Sequence, residues 1–116
     1  MPMRMTFAAH RSSAGPQLST REVLRWATSH GAAACGVAHR TGSLTPGEEA
    51  DVVLLSTDGV NLSPVTASAE AFVLAAHPGN VDTVLLAGRV AKRHGRLIGD
   101  VARAGRLAAA ASGHLG

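Results

Sequence analysis

Aromatic residues are almost absent. Two phenylalanines, one tryptophan and no tyrosine make up 3% of the 116 residues. A surface that grips nucleic acid by stacking bases on aromatic rings has no material here. The basic residues are also scattered, and the formal net charge is only +3. Their densest run, Arg89 to Arg96, falls where a hairpin and its exit are expected, and it reads as a solvated basic face; no nucleic-acid partner is expected. Cys35 is the single cysteine, so an intrachain disulfide is excluded. Its place near the end of an apolar helix predicts a small buried residue, and one free thiol fits a reducing cytosol. Charged residues amount to 16% against 46% hydrophobic, which excludes wholesale disorder. No apolar run approaches the roughly 20 residues that span a bilayer, and the N-terminus lacks the apolar stretch of a signal peptide. The expectation is a cytoplasmic chain with no membrane partner.

Motifs of chemistry are missing too. Six histidines, His10, His30, His39, His77, His94 and His114, form neither H-x-H nor H-E-x-x-H. Ser43 lies in Gly42-Ser43-Leu44, which is not a nucleophile elbow, and the glycines make no phosphate loop. Asp51 and Asp82 read as acids at strand entrances, paired with a backbone amide or a nearby arginine, and Glu48-Glu49 reads as a solvated turn. The residues themselves nominate no catalytic, cofactor-binding or metal-binding site.

What is present is a clear order of elements. Met5, Ala8 and Ala9 can share one face of a short helix within residues 1–12, with Pro2 in its first turn, and Ser12 to Gln17 reads as a loop. Ser19-Thr20-Arg21-Glu22 has the form of a capping box, with Leu18 placed to staple onto Val23. Val23, Leu24, Ala27, Gly31, Ala34 and Cys35 recur at helical spacing and predict a core face on one helix ending at Gly36. Gly31 inside it weakens the helix and implies a close neighbour. Ala50 to Leu55 predicts a strand. Thr66 or Ser68 caps a short helix over 69–76 that packs through Phe72, Val73 and Ala76. Val81 to Ala87 is a second strand, joined through a II′ turn at Gly88-Arg89 to Val90–Arg93, with Leu97-Ile98 as a further short strand. Asp100 caps a last helix facing inward through Val101, Ala104, Leu107 and Ala108, and Ser112 to Gly116 reads as a loose end.

Three of these segments together resemble the C-terminal part of the amidohydrolase superfamily, in the branch of cytosine deaminases, guanine deaminases and triazine or S-adenosylhomocysteine/5-methylthioadenosine hydrolases. Leu24-Arg25-Trp26-Ala27-Thr28-Ser29-His30-Gly31-Ala32 is similar to the last barrel helix, where A-T-x-x-G-A follows a leucine. Gly42-Ser43-Leu44-Thr45-Pro46-Gly47-Glu48-Glu49-Ala50-Asp51-Val52 resembles G-S-L-x-P-G-K-x-A-D-[LIV], where the chain re-enters a small β-sandwich. Val81 to Val90 resembles V-x-x-V-x-V-x-G-x-x-V, the sandwich's final hairpin. Met3-Arg4 through Arg11 is similar to the segment leading into the last helix. Glu48 stands where the family has lysine, which weakens any inherited contact of that turn.

The resemblance implies an α+β chain: a partial amidohydrolase tail with a capped helix, a few short strands including a hairpin, and a C-terminal helix, without a complete TIM barrel. It divides the chain into a helical segment 1–40 like the end of the barrel, a β-rich segment 41–99 like the C-terminal part of the sandwich, and a helix and tail 100–116. The family's metal, zinc or iron, is held by an H-x-H, later histidines or a carboxylated lysine, and an aspartate. The resemblance places all of these outside this chain, so no residue here inherits a metal or catalytic role. The function implied is a fragment or remnant of a metal-dependent hydrolase acting on C–N bonds, inactive alone. The alternatives are a stand-alone binding or oligomerisation module and the non-catalytic subunit of a split hydrolase. Unpaired strand edges predict a homo-oligomer or a complex with a separately encoded barrel half.

Overall fold

The computed structural model describes residues 3–12, 17–64 and 68–113. Expectations resting on Pro2, on 13–16 of the first loop, on Thr66, and on His114 and the end of the tail lie outside the described residues.

The first helix, α1 (Met3–Arg11), turns a different face inward from the one expected. Met3, Thr6, Phe7 and His10 are half-buried, while Met5, Ala8 and Ala9 face solvent. The spacing of three, four and seven is helical in both readings; the bulk of Phe7 and Met3 decides between them.

The capping box forms as read. The Ser19 hydroxyl oxygen accepts from the Glu22 amide at 3.2 Å, and the Ser19 amide donates to Glu22 Oε2 at 2.9 Å. The Ser19 amide, and the Ser19 hydroxyl, which itself donates to Glu22 Oε2 at 2.8 Å, hold the Glu22 carboxyl below its ordinary range. The helix they start is not continuous to Gly36. It breaks into α2 (Thr20–Ala27) and α3 (Ser29–Ala34) at Thr28, whose φ is −121° and ψ −97°. The Thr28 hydroxyl donates back to the Leu24 carbonyl at 2.8 Å, a bond that bends helices. The break redirects the predicted core face. Val23 is buried and Leu24 and Gly31 are half-buried, but Ala27, Ala34 and Cys35 are exposed, and Ala32 is buried in their place. Cys35 is therefore a solvent-facing thiol, contrary to expectation. Gly31 does have its close neighbour: a Cβ there would sit 3.1 Å from the Trp26 carbonyl oxygen. At the end of α3, Val37 N–H donates to Ala32 O and Gly36 N–H to Ala33 O, the Schellman pattern, with Gly36 at φ +74°.

Four antiparallel strands follow in the order β1 (Val52–Leu55), β2 (Val81–Leu86), β3 (Arg89–Arg93) and β4 (Arg96–Leu97). Val53 lies opposite Val84, and Leu86 opposite Arg89. The turn between β2 and β3 is Ala87-Gly88, not Gly88-Arg89. Both residues have positive φ, +48° and +77°, so the turn is type I′, whose twist matches its strands. The last strand lies one residue earlier than expected, after a similar turn at His94-Gly95.

Between β1 and β2 the chain makes a 3-10 turn at Val60–Leu62, a π-helical turn at Ala71–Ala75 and a second 3-10 turn at Pro78–Asn80. The expected short helix is thus wound more loosely. Ser68 is its cap, accepting from the Ala71 amide at 3.3 Å, and Val73 is its buried residue. The π-helical turn packs against α1 and α2. Asp100 caps α4 (Val101–Ser112) through the Arg103 amide at 2.8 Å. Every residue of α4 is exposed, including Val101, Ala104, Leu107 and Ala108, so its apolar stripe faces solvent.

Among the described residues the buried hydrophobic core is Val23, Ala32, Leu62 and Val73. The chain exposes 8643 Å². A folded protein of this mass exposes about 5,900 Å². Trp26 is 45% exposed and lines a shallow cleft of about 210 Å³ with Met3, Thr6, Val23 and Ala27.

Candidate functional site

One polar cluster surrounds Asp51 at the entrance to β1. One carboxylate oxygen accepts from the Ala87 amide at 2.8 Å, and the other from the Thr41 hydroxyl at 2.8 Å. Beside it, Gly88 N–H donates to the Ala50 carbonyl at 3.0 Å. The loop after α3, the start of β1 and the β2–β3 turn are thereby tied at one point. The Ala87 amide first, and the Thr41 hydroxyl second, hold the Asp51 carboxyl below its ordinary range. This is the backbone-amide pairing expected of a strand-entrance acid. Asp82 accepts instead from the adjacent Thr83 hydroxyl at 2.7 Å and lies 3.6 Å from His94 Nδ1; the Thr83 bond is the main cause of its lowered pKa.

Glu48 and Glu49 are not a free solvated turn. Glu48 Oε2 accepts from the Ser43 amide at 3.2 Å and from its hydroxyl at 2.9 Å. Glu49 Oε1 accepts from Arg40 Nε at 3.1 Å and Nη2 at 2.7 Å. The loop folds back over α3, where a Cβ on Gly42 would come within 2.7 Å of the Ala32 Cβ. That close approach brings Ser43 within reach of Glu48, which makes a turn contact of its own.

A second polar node went unread in the sequence. Asn80 is buried, and its Oδ1 accepts from Asn61 Nδ2 at 2.8 Å and from the His77 amide at 3.0 Å. Its backbone carbonyl takes the Ser56 amide at 2.7 Å. His77 Nδ1 accepts from the Gly79 amide at 3.0 Å. The local signal was His77-Pro78-Gly79-Asn80, legible as a turn but silent about its partners around residues 56 and 61.

Both nodes join backbone segments, and each named acceptor takes a bond from the chain's own donors. Among the described residues no three His, Cys, Asp or Glu side chains come together as a metal-binding group.

A capped and kinked helix pair, a fold-back loop onto a short strand and a twisted hairpin occur in this order along the chain. The Amidohydrolase family model matches residues 1–91, and the chain belongs to that family. Among its relatives is the 5-methylthioadenosine/S-adenosylhomocysteine deaminase of Caldicellulosiruptor saccharolyticus. It is 33% identical over 81 residues, 70% of this chain and 19% of that protein. Among solved structures, atrazine chlorohydrolase TrzN from Arthrobacter aurescens TC1, complexed with zinc, superposes with a TM-score of 0.80 at 27% identity over 93% of this chain and 25% of that one. An adenosine deaminase from Xanthomonas campestris with bound zinc gives 0.74 at 27% identity over 87% and 23%. The chain thus spans about a fifth to a quarter of the proteins it matches. The residues described here do not fit the zinc of those structures, because no ligand set is assembled from them.

Proposed function

We propose that this chain is the structural C-terminal portion of a metal-dependent hydrolase of the deaminase-like branch, acting on C–N bonds other than peptide bonds, and that it has no hydrolytic activity alone. The observation that carries this is the superposition on a zinc-bound chlorohydrolase over 93% of this chain but only 25% of the other. Residues 1–40 serve as the end of the barrel, 41–99 as part of the sandwich, and 100–116 as a C-terminal helix and tail. The metal, zinc or iron, belongs to the remaining polypeptide, as does the substrate site. A reducing cytoplasm suits the exposed, unpaired Cys35.

The test is direct. The purified chain is supplied with zinc and assayed for ammonia release from 5-methylthioadenosine and S-adenosylhomocysteine, with metal content read in parallel. No ammonia and no retained metal are expected. Turnover by the chain alone, with zinc bound in proportion to protein, overturns the proposal. A second reading, the non-catalytic subunit of a split enzyme, is favoured by the half-exposed Trp26 cleft, an unfilled apolar surface between α1 and α2. It is tested by mixing the chain with a relative lacking its matched segment and asking whether activity returns.

A further inference from the structure

The side chains of aspartate and asparagine carry a carbonyl carbon that the backbone nitrogen of the next residue can attack. A side chain on that next residue crowds the nitrogen. Asp51, Asp82 and Asp100 precede Val52, Thr83 and Val101, all branched at Cβ. Asn61 precedes Leu62, and Asn80 precedes Val81. Asp58 alone precedes a glycine, which has no Cβ to obstruct the approach.

The fold leaves this pair open. Asp58-Gly59 lies between β1 and the 3-10 turn at Val60–Leu62; Asp58 is exposed, and Val60 beyond it is 92% exposed. The other aspartates are engaged: Asp51 by Ala87 and Thr41, Asp82 by Thr83 and His94, and Asp100 by the Arg103 amide. The Asp58 carboxylate takes one bond, from the Ser56 hydroxyl at 3.0 Å. The Gly59 N–H donates to no acceptor among the described residues, so the attacking nitrogen is not tied into the fold.

We propose that Asp58-Gly59 is a site of spontaneous covalent modification, at which the folded chain converts aspartate to isoaspartate. The Gly59 nitrogen attacks Asp58 Cγ. A nitrogen–carbon bond forms, the amide proton and the carboxyl OH leave as water, and a five-membered cyclic imide closes. Water then opens the ring. Addition at the Asp58 backbone carbonyl breaks its bond to the Gly59 nitrogen and leaves the chain running through Cβ and Cγ; addition at Cγ restores aspartate. One water leaves and one returns, so no oxidant, cofactor or partner is required. The reaction is internal to one loop and independent of the hydrolase reading.

The isomer adds one carbon to the backbone where both flanks are fixed. The Ser56 amide is bonded to the Asn80 carbonyl at 2.7 Å, and the Ser56 carbonyl accepts from Asn80 Nδ2 at 3.4 Å. The Gly59 carbonyl accepts from the amide of buried Leu62 at 3.0 Å. A Cβ on Gly59 would come within 2.5 Å of Asn61 Oδ1 and 3.2 Å of Asn80 Nδ2. Thr57 and Asp58 must absorb the added atom between these anchors, and the Asn61–Asn80 node is loosened.

The whole chain is aged at neutral pH and physiological temperature, folded and in parallel in urea. Isoaspartate is read by enzymatic methylation of its carboxyl from S-adenosylmethionine, and is placed in the sequence by the fragment ions of the β-linkage. Isoaspartate is expected at residue 58, forming in the folded chain within about tenfold of its rate in urea. Residues 51, 82 and 100 are expected to remain aspartate over the same period. Asp58→Glu, which could close only a six-membered ring, is expected to abolish the signal. The separated isomer is expected to unfold at a lower urea concentration than the fresh chain. Conversion at residue 58 in urea but not in the folded chain overturns the proposal, as does equal conversion at the other aspartates or a signal that persists in Asp58→Glu. An unchanged urea midpoint for the isomer overturns its coupling to Asn80.

Discussion

Asp51 joins three separated parts of the chain through one carboxylate, and its pH dependence follows from its lowered pKa. A carboxyl whose folded pKa lies below its unfolded value of about 3.9 contributes stability above that value and loses it as pH falls through the folded pKa. The Ala87 and Thr41 bonds are thus intact at neutral pH and released in acid. Asp51→Ala is expected to lower the urea midpoint at pH 7 and to flatten the acid limb of the stability profile below about pH 4. An acid limb unchanged by the substitution would place the titration elsewhere, with Glu22 and Asp82 the remaining lowered carboxyls. Asn80 is the uncharged counterpart. Asn80→Ala leaves the His77 amide and Asn61 without their buried acceptor, and is expected to cost about 1–3 kcal/mol in urea unfolding. The two residues differ in how far they could be read in advance. Asp51 sits at a strand entrance, where an acid's pairing with a backbone amide is legible in kind, although its partner Ala87 lies 36 residues away. Asn80 draws its partners from residues 56 and 61, and nothing adjacent in sequence reports a contact across that gap.

Among the elements, caps were the most legible because they close within three or four residues: Ser19 with Glu22, Asp100 with Arg103, and Gly36 after α3. The break at Thr28 was not, since the same apolar spacing serves one straight helix or two bent ones. The decision rests on a hydroxyl bonding back to Leu24. The β2–β3 turn was placed one residue late for a related reason. Glycine marks a positive φ but does not say whether it comes first or second, and here Ala87 shares the left-handed conformation at φ +48°. An L-residue with a Cβ is strained there. Ala87→Asn, which restores the preferred Asn-Gly pair, is expected to stabilise the hairpin by up to about 1 kcal/mol. Thermal unfolding checks it, and a lowered midpoint would mean that the turn tolerates alanine for another reason.

At the scale of the whole molecule, four buried hydrophobic residues among those described anchor a chain that exposes 8643 Å². Few aromatic side chains leave little bulk to bury, and the family resemblance implies partners for uncovered strand edges. Neither could say which faces would be bare, because that depends on the Thr28 bend and on the strand order. A surface so apolar is expected to bind the dye ANS at neutral pH, read as a rise in dye fluorescence; no rise would mean that the exposed apolar residues do not form continuous patches. In contrast, Val23→Ala removes one of the few buried side chains and is expected to cost about 2 kcal/mol in urea unfolding, a large share of what so small a core supplies.

The cleft between α1 and α2 has an optical consequence. Trp26 is the sole tryptophan, there is no tyrosine, and Trp26 lines that cleft together with Met3, Thr6, Val23 and Ala27. Excitation near the red edge of protein absorption therefore addresses one ring at one seam. Its emission colour becomes an intrinsic gauge of whether α1 is docked, shifting red as the first helix lifts away and blue when another surface closes over the indole.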